Sequence, residues 1–300
     1  MYAELKKELK GHAAAVYTLH LDKSSNRIFS GSADRMVGVW QSNNLEPDPF
    51  SIRTDQAVFS IEKQANHLYV GQGSGGVHVI DLQSRQEIRH LKYHNRAIFQ
   101  ILSHPLKPYL YFLGGDGLLS IVDHADYSLK LSLPISEAKL RTASLSANRE
   151  LLFVGSGDGY IRILETDYYN VLNDVKCHEG GVYDMVWLSD NEVITVGRDG
   201  HIRLWKLRDH QLIEYDKIPA HNYAVYSIDI SPSGQKIATA SRDKTVKIWE
   251  MGNLRKPLRI QRVGTKGHTH SVNVVKWVND NLLVSAGDDR SLFFWTISDS

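Results

Sequence analysis

The stretch from His221 to Trp249, HNYAVYSIDISPSGQKIATASRDKTVKIW, sets apolar against polar positions in short runs. VYSIDI alternates as a half-buried strand does. SPSG reads as a turn, KIATAS as a second strand, SRDK as a tight turn and TVKIW as a third strand. Four residues hold fixed offsets inside this unit: His221, Thr239, Asp243 and Trp249.

The pattern recurs along the whole chain, which makes repetition the first thing to settle. Units ending at the Trp position close at Trp40, Ile80, Val122, Leu164, Trp205, Trp249 and Trp295. Six residues before each closing position stand Asp34, Ser74, Asp116, Asp158, Asp199, Asp243 and Asp289. Units one, five, six and seven carry a full set: His12, Ser30, Asp34 and Trp40; His178, Thr195, Asp199 and Trp205; His221, Thr239, Asp243 and Trp249; His268, Ser285, Asp289 and Trp295. Units two, three and four are degraded.

On these residues the chain resembles the WD-repeat β-propeller family, of the kind found in the G-protein β subunit. That family has four-stranded blades and a period of about 40–45 residues. Gly11-His12 and Gly267-His268 match its opening, although the closing Trp-Asp dipeptide is never literal here. The resemblance implies an all-β, seven-bladed β-propeller forming a single domain over residues 1–300. It also implies that residues 2–9 supply the outer strand of the last blade. AELKKEL has a helical look on propensity alone, and a free N-terminal helix is the competing expectation. Leu254 to Gly264, with Pro257, is expected as the longest connection.

Composition narrows the function classes. The formal charge of +1 disfavours a general nucleic-acid or anionic-membrane binder and leaves a local basic stripe as the feature such a partner would require. One cysteine, Cys177, permits no disulfide within the chain and fits a reducing compartment. No signal peptide or membrane-length apolar run is present, so a cytoplasmic location is expected.

The repeated His, Ser/Thr and Asp invite a hydrolase reading, but four copies in four units argue for structure. In the family they form a network from Asp to His to hydroxyl to Trp. GQGSGG in unit two contains phosphate-loop ingredients, yet no helix follows it and no Lys-Ser/Thr ends it. His268-Thr269-His270 resembles a metal arm, but His268 belongs to the network and no cysteine lies nearby. Neither a catalytic group, a metal nor a cofactor is expected.

The candidate functional residues lie between the regular ones. One position on the first strand of each unit reads Tyr17, Phe59, Phe99, Arg141, Tyr183, Tyr226 and Asn273. The resemblance puts it near the narrow end of the channel, where such propellers meet partners. Small residues two positions earlier would leave the aromatics uncovered, and Lys139, Arg198 and Arg242 accompany them. Aromatic and Arg side chains anchor protein interfaces. With a nucleic-acid-associated complex subunit, and then an enzyme with a site at the channel mouth, as the alternatives, the expectation is a non-enzymatic scaffold, free-standing or within a larger complex. Its partner is a protein or peptide, and an acidic or phosphorylated group suits the arginines better than a methylated amine. Packing of the aromatics between neighbouring blades is the structural alternative.

Overall fold

The computed structural model describes residues 1–299 and builds them from twenty-eight strands joined by turns. The strands form seven separate four-stranded antiparallel sheets, the blades of an all-β, seven-bladed β-propeller. The chain divides into two compact units.

The first unit comprises Met1–Ala57, Gly200–Ile202 and Ile218–Ser300. Blade one runs through Val16–Asp22, Arg27–Ser32, Met36–Gln41 and Pro47–Arg53. Blade six runs through Val225–Ile230, Lys236–Ser241, Val246–Glu250 and Asn253–Ile260. Blade seven takes Val272–Asn279, Leu282–Gly287 and Ser291–Ser298 from the end of the chain and Tyr2–Lys10 from its beginning.

The N-terminal segment is therefore a strand. Tyr2 pairs with Ser298 and Lys10 with Ser291, with one irregularity between Leu5 and Lys7. Leu9 is buried in a cluster with Leu292 and Phe294, while Leu5 packs on the group containing Trp295 and Ile297. A helix would satisfy its own backbone but leave Ser291–Ser298 as an open edge, which this pairing covers.

The expected long connection after Leu254 is mostly strand, spanning Asn253–Ile260. Pro257 misled because proline lacks the N–H a central strand needs. Here it lies on the outermost strand of its sheet, where proline is tolerated.

The second unit, Val58–Asp199 and Arg203–Lys217, holds blades two to five. Their first strands are Val58–Gln64, Ile98–Ser103, Leu140–Leu145 and Val182–Ser189. In every blade the second strand is almost wholly buried, as Leu151–Ser156 and Lys236–Ser241 illustrate. That is why the interiors of these strands read as apolar runs broken by glycine and small hydroxyl residues, with polar side chains such as Arg27, Gln72, Glu192 and Lys236 at their ends.

The repeated polar set lies inside the blades. His12 Nδ1 meets Asp34 at 2.9 Å, its Nε2 meets Ser30 Oγ at 2.7 Å, and Trp40 Nε1–H donates to Ser30 Oγ at 2.8 Å. His178 meets Asp199 and Thr195 at 2.8 Å each, and Trp205 donates to Thr195 at 2.9 Å. His221 meets Asp243 at 2.9 Å and Thr239 at 2.8 Å, with Trp249 donating to Thr239 at 3.1 Å. His268 meets Asp289 at 2.7 Å and Ser285 at 2.8 Å, with Trp295 donating to Ser285 at 2.9 Å. Each chain gives buried polar groups partners they would otherwise lack.

Burial alone would raise the Asp243 carboxyl. Hydrogen bonds and charge from His221, then bonds from Thr245, outweigh it and hold the group well below the carboxylate range. His221 itself is pushed down by burial, with the hydrogen bond and charge of Asp243 opposing the shift. In degraded blade three, Phe112 replaces the hydroxyl, and among the described residues the buried His94 Nε2 has no hydrogen-bond partner. In blade four, Ser136 replaces the histidine and donates to Asp158 at 2.8 Å.

Candidate functional site

The seven first-strand candidates share one backbone feature that the sequence did not reveal. In each blade the pairing of first and second strands slips across that residue. Shifts fall between Val16 and Thr18, Val58 and Ser60, and Ile98 and Gln100. They fall again between Leu140 and Thr142, Val182 and Asp184, Val225 and Ser227, and Val272 and Val274. Tyr17, Phe59, Phe99, Arg141, Tyr183, Tyr226 and Asn273 are thus bulge residues. A bulge removes its residue from the ladder and re-aims the side chain.

In the second unit four of these residues form a continuous stack. Phe59 and Phe99 meet edge to face, with centroids 5.5 Å apart. The Arg141 guanidinium lies 4.2 Å from the Phe99 centroid and 5.2 Å from that of Tyr183. Lys139 Nζ stands 5.8 Å from the Phe99 ring. Phe59, Phe99, Arg141 and Tyr183 are half-buried, whereas Lys139 and Arg198 are exposed.

Missing side chains make this approach possible. A Cβ on Gly115 would lie 3.0 Å from Phe99 Cε2, and one on Gly181 only 2.7 Å from Tyr183 Cε1. Arg198 packs its stem along Gly180, where a Cβ would come within 2.8 Å of its Cδ. Side chains of neighbouring blades thus meet in the stack, with Lys139 and Arg198 exposed beside it.

The stack sets two cations against its aromatic rings. Arg141 already occupies the ring faces that a methylated ammonium would use, and a second cation there would be repelled. Guanidinium and ammonium groups with exposed ends suit a carboxylate or phosphate.

The first unit holds the remaining candidates in different surroundings. Tyr17 is half-buried, and its phenol is raised by burial and then by the nearby Asp288 charge. Asn273 Nδ2–H donates to Val16 O at 3.0 Å and to Asp288 at 2.8 Å. Tyr226 is half-buried. Arg242 lies 6.0 Å from the centroid of Tyr223, an exposed aromatic outside the position compared between units. Its place two residues after His221 was the available signal.

Among the described residues, no group of three or more His, Cys, Asp or Glu is arranged to hold a metal ion. No helix is long and apolar enough to cross a membrane. A cleft of about 200 Å³ in blade one includes His12 and Trp40, but both belong to the blade network.

The WD domain, G-beta repeat family matches residues 3–41, 169–206, 214–250 and 259–296. The chain belongs to the WD-repeat family. The matched segments end at the four units with the complete polar set, while residues 42–168, covering the degraded units, go unmatched. Among relatives, a ribosome biogenesis protein WDR12 homolog from Nematostella vectensis is 28% identical over 182 residues, covering 51% of this chain and 44% of that protein. Apoptotic protease-activating factor 1 from Rattus norvegicus is 23% identical over 97% of this chain and 23% of its own length. A WD repeat-containing protein 55 homolog from Aedes aegypti is 22% identical over 80% of this chain and 52% of that protein. The WD-repeat chain thus spans between about a quarter and half of each of these relatives.

Proposed function

We propose that this WD-repeat protein is a non-enzymatic interaction scaffold, acting within a larger complex, that binds an anionic peptide or protein loop over the Phe99–Arg141–Tyr183 stack. The observation that carries this is the Arg141 guanidinium between two rings, at 4.2 and 5.2 Å, with exposed Lys139 and Arg198 beside it. Cations fixed by packing give up little freedom on binding, and Arg with aromatics is the usual composition of an interface anchor. The relative named as a ribosome biogenesis protein supports work within an assembly.

The test compares full-length wild type with a Lys139→Gln/Arg141→Gln variant as bait in native extract, using quantitative mass spectrometry. A set of proteins captured by wild type and lost by the variant, at equal melting temperature, is expected. Phosphatase treatment of the extract separates phosphate from carboxylate ligands. An identical set on both baits rejects this surface.

A further inference from the structure

Blade six carries a charge pattern that the repeat does not require. From Met251 to Asn279 the chain holds six cations, Arg255, Lys256, Arg259, Arg262, Lys266 and Lys276, and no carboxylate. The first five lie on the outer strand Asn253–Ile260 and the loop after it, and all five are exposed.

Other blades neutralise the corresponding cation. In blade four Arg162 pairs in register with Asp174 and also meets Asp158 at 2.7 Å. In blade five Arg203 reaches Glu214 at 2.8 Å and Asp199 at 3.1 Å. At this step in blade six Lys247 pairs in register with Arg259. Like charges directly opposed across a ladder cost stability. Burial lowers the Lys247 ammonium, Asp243 pulls it back up, and Arg259 pushes it down again. Among the described residues Lys256, Arg259 and Lys266 meet no carboxylate, and Arg262 Nε–H donates to a backbone oxygen, that of Gly264, at 2.9 Å. Among the described residues these four cations are therefore uncompensated by any carboxylate.

We infer that this strip is a docking surface for the phosphodiester backbone of a nucleic-acid duplex. An acidic protein partner fits less well. Protein interfaces centre on aromatic and apolar anchors, whereas residues 253–266 contain no aromatic, and their one highly exposed large apolar side chain is Val263. Single-stranded nucleic acid is bound largely through stacking on aromatics, which the strip also lacks. A duplex backbone is held chiefly by well-placed cations that neutralise its phosphates. The near-neutral charge of the whole chain makes such binding local, without the broad attraction of a generally basic protein.

The experiment measures fluorescence anisotropy of a short labelled DNA duplex with the full chain, from about 50 to 200 mM salt. With about four phosphates engaged, log K should fall against log salt with a slope of roughly −3.6. Lys256→Glu/Arg259→Glu/Arg262→Glu should weaken binding at least tenfold, as lost counterion release predicts. A milder Lys256→Gln/Arg262→Gln variant, with both side chains exposed and outside any core, should flatten the slope by roughly 1.8. Arg198→Gln, on the other unit, should leave duplex binding unchanged, which separates this result from the fate of the stack. No duplex binding by wild type, an unchanged slope in both variants, or competition by a poly-glutamate peptide as effective as unlabelled duplex would each overturn the inference.

Discussion

Replacing Asp243 by alanine removes three interactions at once. The carboxylate accepts from His221 Nδ1–H at 2.9 Å, from the Thr245 backbone N–H at 3.0 Å and from the Thr245 hydroxyl at 2.6 Å. His221 is buried, so its Nδ1–H is left without its acceptor, apart from Thr245 Oγ1 at 3.3 Å. Orphaning a buried donor costs about 1–3 kcal/mol, and each lost ordinary hydrogen bond about 0.5–1.5 kcal/mol. A total of about 3 kcal/mol is reasonable for the site. At about 2.1 cal/mol/K per residue, a chain this long has an unfolding entropy of roughly 0.6 kcal/mol/K, so the Tm should drop by about 5 °C.

Calorimetric melting at pH 7 reads this directly, and a double-mutant cycle tests the cause. Thr239→Val removes the hydroxyl that joins His221 to Trp249. Because His221 bridges the two altered sites, their effects should fall short of additivity by about 1 kcal/mol. A single variant melting within about 1 °C of wild type, or strict additivity, refutes the network as a cooperative stabiliser.

Acid should destabilise the protein in two stages. His221, lowered by burial, binds fewer protons folded than unfolded, so stability erodes first below about pH 6.5; Asp34, Asp116, Asp158, Asp243 and Asp289, all lowered, add losses below about pH 4. A Tm that rises between these two points would contradict the sign. Gly117→Ala places a Cβ 1.7 Å from Ser136 O at a φ of +82° and should cost more than about 2 kcal/mol in urea titrations. Gly234→Ala, at φ +72° with nothing within 4 Å, should cost only about 1 kcal/mol. Leu9→Ala should cost about 2–4 kcal/mol by leaving a cavity beside Leu292 and Phe294 in the closing strand, while exposed Lys6→Ala should change stability by less than about 0.5 kcal/mol.

The seven-blade fold was legible because its signals are local and repeated. A turn aspartate at a fixed distance from a closing position survives where the tryptophan is gone, as at Asp116, and where histidine and tryptophan are both gone, as at Asp158. The N-terminal strand was legible only through the resemblance, because Leu5 and Leu9 fit a helix as well as a strand. Residues 254–264 were misread because Pro257 marks a strand edge as readily as a loop. The candidate site was legible as a set of positions but not as chemistry. Bulges appear only in cross-strand register, and the Arg141 stack joins side chains from three blades about forty residues apart. Tyr223 escaped because comparison of equivalent positions ignores a neighbour that reaches the same arginine.

The paired positions on third and fourth strands show how a repeat separates structure from function. Gly38 faces Ser51, Arg162 faces Asp174 and Lys247 faces Arg259. The ladder geometry is the same in each, so the blade itself demands no particular side chain there. Variation toward Gly–Ser or Arg–Asp costs little and needs no explanation. Variation toward Lys–Arg works against folding, because two cations must be held together, one of them half-buried. The Phe99–Arg141–Tyr183 stack departs from the repeat in another way, by placing a cation where five of the seven blades have an aromatic ring. Both departures occupy positions that the fold leaves free, which is why the proposed recognition of partners is placed there.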